Sequence, residues 1–106
     1  MADLPKPNAT LVAHQKYIRQ ALSERGFDSE TVAQKFMLLL EEAGEFAKAA
    51  RRQAGIKVAE DTSLAELKDE AGDVFIVLLD ICNKLGIDLE ESVIQKERKN
   101  QKRTWQ

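Results

Sequence analysis

Glu41-Glu42-Ala43-Gly44-Glu45 and Glu70-Ala71-Gly72-Asp73 are the segments of this chain best equipped for chemistry. Each repeats a carboxylate at i and i+3, Glu42 with Glu45 and Glu70 with Asp73. On a helix that spacing puts both side chains on one face, with Cβ atoms about 5–6 Å apart. Like charges so close repel unless a cation lies between them. Both couples also abut strongly apolar runs, Phe36 to Leu40 and Val74 to Leu79, where carboxylates need partners or a metal. If two such pairs face each other across antiparallel helices, four carboxylates with no Lys or Arg inside either motif make a divalent-cation site. Oxygen-only donors favour Mg²⁺, with Mn²⁺ also possible, over zinc. The competing reading is a pair of solvated helix faces. Doubling of the acids on consecutive helices favours the metal.

Other chemistries fit less well. A di-iron site in a helical bundle needs Glu-x-x-His pairs, and the single histidine, His14, lies outside both motifs. It reads as a surface or interface residue. No G-x-x-x-x-G-K-[ST] phosphate loop occurs, and Cys82 has no histidine near it in sequence to act as its base.

A second charged feature lies near the C-terminal end. Lys96, Lys99, Asn100 and Arg103 recur at i, i+3, i+4 and i+7, one face of a helix. Solvation and the helix dipole account for such a face in general. Beside a metal–carboxylate site it acquires another use. Arg forks onto phosphate oxygens and Lys acts as a point charge, and phosphoryl chemistry employs metals and cations together. Lys35 precedes the first acid cluster and is a further phosphate candidate. Trp105 can be read as a packing residue, a base-stacking surface or a frayed end.

Four helices are expected to position these groups. The first runs from about Ala9 to Arg25, with Asn8 as N-cap and Gly26 as stop. The second begins after Asp28 or Ser29 and ends before Gly55. Its apolar stripe is Val32, Phe36, Leu39, Leu40, Ala43, Ala47 and Ala50. Glu41, Glu42 and Glu45 lie on the roughly opposite side, with Leu38 among them. Segment 55–62 reads as a loop. The third helix opens at a Ser63–Glu66 capping box and ends at Gly86. Glu70, Asp73 and Val77 share one of its faces, with Asp80 close to the Asp73 direction. Asp88 and Glu91 cap a fourth helix that continues towards Arg103. The fold expected is all-α, a four-helix-bundle-like chain with antiparallel central helices. From Val74 to Cys82 only Asp80 is polar, so the third helix needs cover on every side. That predicts a homo-oligomer in which the third helix packs against a partner subunit; the competing reading sets this helix at the centre of a monomer.

Composition bounds the remainder. The 106 residues make one small domain, 1–106. Apolar residues are 43 % and charged residues 32 %, which fits a folded helical protein and argues against disorder. A net charge of −2 gives no electrostatic ground for binding nucleic acid or a membrane surface. The apolar runs fall far short of the ~20 residues of a membrane span. The start of the chain, with Asp3, Pro5 and Pro7, has no apolar signal core. A lone cysteine in an apolar run fits a reducing compartment, and the cytoplasm is expected.

The arrangement Glu41-Glu42-x-x-Glu45, a gap, then Glu70-x-x-Asp73 resembles the E-E-x-x-E … E-x-x-D signature of MazG-like nucleoside triphosphate pyrophosphohydrolases, in the all-α NTP pyrophosphatase superfamily. The resemblance extends through Gly86-Ile87-Asp88-Leu89 to Lys96 … Asn100-x-x-Arg103; the first helix matches only in being helical. It implies Mg²⁺-dependent cleavage of an NTP or dNTP to the monophosphate and pyrophosphate, usually in nucleotide-pool house-cleaning. By motif position it implies Glu42, Glu45, Glu70 and Asp73 as metal ligands. Glu41 becomes an extra ligand or the base that positions water, and Lys96, Asn100 and Arg103 become phosphate contacts. It also implies dimers or tetramers with helices shared between subunits. Two rivals stand beside this reading: a non-catalytic helical dimerisation or regulatory module, and a related hydrolase acting on phosphoribosyl-ATP.

Overall fold

The computed structural model describes residues 1–54 and 64–103. They form four α-helices, α1 (Leu11–Glu24), α2 (Val32–Gln53), α3 (Leu64–Leu85) and α4 (Leu89–Gln101). Among the described residues there is no strand, so the chain is all-α. The helices pack in a bundle-like arrangement. α3 is central, with α2 and α1 both laid against it, and α4 rests chiefly on α1.

Local chemistry accounts for most helix ends. α1 starts at Thr10, whose hydroxyl accepts from the Ala13 N–H. Asn8 is not the cap; it takes a left-handed φ of 69° in the preceding turn, a conformation Asn tolerates better than most residues. α2 starts at Thr31 with a complete capping box: the Gln34 N–H donates to the Thr31 hydroxyl, and the Thr31 N–H donates to Gln34 Oε1. Asp88 caps α4 as expected, accepting from the Glu91 N–H at 3.1 Å. α4 ends at Gln101, just short of Arg103. Gly26 and Gly86 adopt φ of +81° and +68° and close α1 and α3. In each case the following residue bonds back across the last turn, Phe27 N–H to Leu22 O at 2.9 Å and Ile87 N–H to Cys82 O at 2.8 Å. The Ser63 cap, the 55–62 loop, Gly55 and Trp105 lie outside the described residues.

Ile18 and Ala21 of α1, Ala49 of α2, and Val77, Leu79, Ile81 and Cys82 of α3 form the buried core. The face of α2 that meets this core is not the stripe expected. Val32 and Leu39 are partly covered, but Phe36, Leu40, Ala43, Ala47 and Ala50 point outward, and Leu40 is 75 % exposed. The inward face carries Lys35, Leu38, Glu42 and Ala49. The physical reason is that α2 is apolar on two faces and only one of them can meet α3. α3 is likewise incompletely covered within one chain, since Phe75 and Ile76 remain 36 % exposed.

Candidate metal centre

The register of α2 on α3 follows from two polar contacts. The Lys35 ammonium pairs with the Asp80 carboxylate. Two helical turns further along α2, Glu42 meets Glu70 and Asp73, and Asp73 lies two turns back along α3 from Asp80. Residue numbers rise on one helix as they fall on the other, so the two run antiparallel. Lys35 and Glu42 thus occupy equivalent positions on α2, as do Asp80 and Asp73 on α3.

These two positions differ in charge. At one end an acid facing α2 has a cation. Lys35 is fully buried, and its ammonium also donates to the Phe27 carbonyl at 3.2 Å and lies 4.0 Å from Glu30. At the other end Glu42, Glu70 and Asp73 each bring a carboxylate oxygen within 4.8 Å of the others. Among the described residues no Lys or Arg forms an ion pair with any of the three. Glu42 and Glu70 are half-buried and Asp73 is exposed. Glu70 Oε2 is shut off from solvent and has no hydrogen-bond partner. A buried, unpartnered carboxylate oxygen is costly, and a divalent cation would satisfy it.

The electrostatics agree with the geometry. Burial pushes the Glu42 carboxyl above the usual carboxylate range, with Asp73, Glu70, Glu41 and Glu45 adding repulsion in that order. Burial also raises Glu70, followed by repulsion from Asp73, Glu45, Asp69 and Glu66. Both groups resist ionising where they stand, as expected of like charges sharing a site without a counter-ion.

The structure therefore brings Glu42, Glu70 and Asp73 together. Glu45 is exposed, one turn along α2, and is felt by both Glu42 and Glu70. Glu41 is exposed beside the cluster and contributes to the field on Glu42. Lys35 does not present its ammonium to the acids; that group is consumed by Asp80 and the Phe27 carbonyl, so a phosphate contact has no support in this placement. On α4, Lys96 is exposed and Asn100 is half-buried, its amide donating to Glu97 at 3.0 Å; Arg103, exposed, lies just past the end of the helix. His14 lies on α1 with its ring edge-on to Phe75, centroids 6.2 Å apart.

Two polar arrangements escaped the sequence reading. The Lys35–Asp80 pair had a signal, since each residue lies two helical turns from an acid already singled out. Gln15 had none. It is a buried α1 residue bonded to Asn83, Ile87 and Leu89, and nothing in its neighbours marks it.

No curated protein matches the chain. A family model, described as the MazG nucleotide pyrophosphohydrolase domain, matches residues 36–105. The match leaves out α1 and Lys35 and takes in every acid of the cluster together with the basic face of α4. The part of the chain carrying the unpaired carboxylates is thus the part that defines the family, and on this match the chain belongs to the MazG nucleotide pyrophosphohydrolase domain family.

Proposed function

We propose that this chain is a Mg²⁺-dependent nucleoside triphosphate pyrophosphohydrolase, cleaving an NTP or dNTP to the monophosphate and pyrophosphate in nucleotide-pool house-cleaning. A nucleotide pyrophosphohydrolase activity in general is what the family supports. The observation that carries the metal dependence is Glu70 Oε2, a buried oxygen without a partner beside two further carboxylates. Its chemistry fits a hard divalent cation held by Glu42, Glu70 and Asp73, with Glu45 at the edge; Mn²⁺ satisfies the same donor set. When bound, such an ion supplies positive charge that acidifies water and neutralises phosphate oxygens.

The chain's own groups do the rest. Glu41, exposed beside Glu42, accepts a proton from the attacking water. The water oxygen bonds to the α-phosphorus as the bond from that phosphorus to the α–β bridging oxygen breaks, and pyrophosphate leaves with the electron pair. Lys96, Asn100 and Arg103 hold phosphate oxygens, Arg103 by a forked contact and Lys96 as a point charge.

The outward face of α2 supports a homo-oligomer, a dimer or tetramer. Phe36, Met37 and Leu40 are large apolar side chains 45–75 % exposed, continued by Ala43 and Ala47. A contiguous apolar face of this kind on a small domain marks an interaction surface. The whole chain, 1–106, is read as one domain acting in the cytoplasm. Among the described residues no helix is long and apolar enough to cross a membrane.

A pyrophosphate-release screen over NTPs, dNTPs, modified nucleotides and phosphoribosyl-ATP, with Mg²⁺ and with excess chelator, tests the reading. Release from one or more nucleoside triphosphates, abolished by chelator and restored by Mg²⁺, is expected. Release from phosphoribosyl-ATP alone moves the substrate. No release from any of them removes the catalytic reading.

A further inference from the structure

We infer that Gln15 is a positioning residue that fixes the angle at which α4 leaves α3, and with it the place of the Lys96, Asn100 and Arg103 face. The inference rests on the phosphate role proposed above for that face. α4 contributes no buried residue to the chain. Of its three large apolar side chains Leu89 is half-buried, and Val93 and Ile94 are nearly half exposed. Beyond Leu89, apolar packing within the chain therefore does little to set its direction, and polar ties at its base hold it.

Most of those ties meet at one side chain. Gln15, 7 % exposed, donates from Nε2 to the Ile87 carbonyl at 2.8 Å and to Asn83 Oδ1 at 3.1 Å. Its Oε1 accepts from the Leu89 N–H at 2.9 Å. Asn83 Nδ2 donates back to the Gln15 main-chain carbonyl at 2.9 Å. One amide thus joins α1, the last turn of α3, the α3–α4 turn and the first residue of α4. The Leu89 N–H is among the amides that a helix start leaves without an intrahelical acceptor. Here it is held by a side chain from the far end of the sequence. A second, longer tie runs from the Leu11 N–H to Glu90 Oε1 at 3.3 Å.

The lever is long enough to matter. Asn100 lies eleven residues beyond Leu89, about 16 Å along the axis at about 1.5 Å per residue. A tilt of about 10° at the base moves it about 3 Å, the full length of a hydrogen bond. A substrate already held by metal and carboxylates keeps its reacting centre when α4 tilts but loses its grip on the phosphates, so the effect falls on KM.

The test uses the full chain carrying Gln15→Leu or Gln15→Glu. The second keeps the acceptor for the Leu89 N–H and loses the donors to Ile87 and Asn83. Pyrophosphate release is measured against Mg²⁺–nucleotide concentration, and amide hydrogen exchange is followed across α2 and α4. Gln15→Leu is expected to raise KM roughly tenfold, the size of one lost hydrogen bond to a charged group. It should leave kcat within about threefold and speed exchange in α4 while α2 is unchanged. Gln15→Glu sets a carboxylate oxygen against the Ile87 and Asn83 oxygens and is expected to raise KM at least as far. KM within about twofold of wild type in both variants, or kcat falling at constant KM, overturns the inference. If Gln15→Leu does not fold, the same criteria apply to Gln15→Glu. A wild-type chain that hydrolyses no triphosphate refutes the proposed function. Unchanged α4 exchange in both variants refutes the clamp whatever the activity.

Discussion

Lys35→Met separates a structural lysine from a substrate-binding one. Lys35 is buried, with its ammonium on Asp80 and the Phe27 carbonyl. Methionine keeps most of the apolar stem, so the cavity cost is small. What remains is an Asp80 carboxylate, 14 % exposed, without its cation. Removing one partner of a buried pair costs about 3–5 kcal/mol, and the residual exposure of Asp80 places this case near about 3 kcal/mol. Loss of the bond to Phe27 adds about 1 kcal/mol. A total near 4 kcal/mol is a large share of the 5–15 kcal/mol typical of a domain. In a chain of this length it lowers Tm by about 15–20 °C. Lys35→Met/Asp80→Leu removes the orphaned charge as well and should recover more than half of the loss, because apolar replacement of a buried pair is often neutral. Circular-dichroism melts of the single and double variants measure both effects. At a temperature where Lys35→Met is folded, kcat/KM should stay within about threefold of wild type, since Lys35 lies about 10 Å along α2 from Glu42. A melt within about 3 °C of wild type refutes the buried pair, and a selective loss of turnover in a stably folded variant assigns Lys35 to the substrate.

Three further outcomes follow from the same charges and faces. Glu70→Gln removes one negative charge at constant shape; it should abolish Mg²⁺-induced thermal stabilisation while leaving the metal-free Tm equal to or above wild type. Glu42 and Glu70 titrate above the ordinary carboxylate range in the folded chain, so that state holds more protons than the unfolded one between the ordinary and raised values. Metal-free stability therefore falls as pH rises through that window, whereas Mg²⁺ affinity rises over the same interval as the ligands deprotonate; melts at graded pH with and without Mg²⁺ should diverge accordingly. Leu40→Arg places a charge on the outward face of α2 at a position 75 % exposed; sedimentation should show a shift to smaller species, with helical content retained.

How much of this was legible in the sequence depends on whether one helix or two decide a feature. Gly26, Gly86 and the Asp88–Glu91 cap are decided within a few residues, and the structure has them as expected. The acid cluster was also legible, because i and i+3 spacing fixes a face and the alternating helices leave α2 and α3 as neighbours. Thr10 replaced Asn8 as cap because both are capping residues and only the turn between them decides which one the helix starts from. The α2 stripe was misassigned for a deeper reason. Phe36, Leu40, Ala43 and Ala47 have the right period for burial, and so do Lys35, Leu38, Glu42 and Ala49 once Lys35 is given Asp80 and the acids a cation. Hydrophobicity identifies a face that avoids water; it does not say whether the cover comes from the same chain. Gln15 lay beyond reach because its partners are main-chain groups of a turn far along the sequence.

The measurement closest to the central claim is isothermal titration of Mg²⁺, with Mn²⁺ in parallel, into the nucleotide-free wild-type chain and its Glu42→Gln/Glu70→Gln variant. Saturable binding by the wild type that releases protons and is lost in the variant is the predicted result. Equal heats from both proteins, or none from the wild type with either metal, would mean that Glu42, Glu70 and Asp73 stand together without holding an ion.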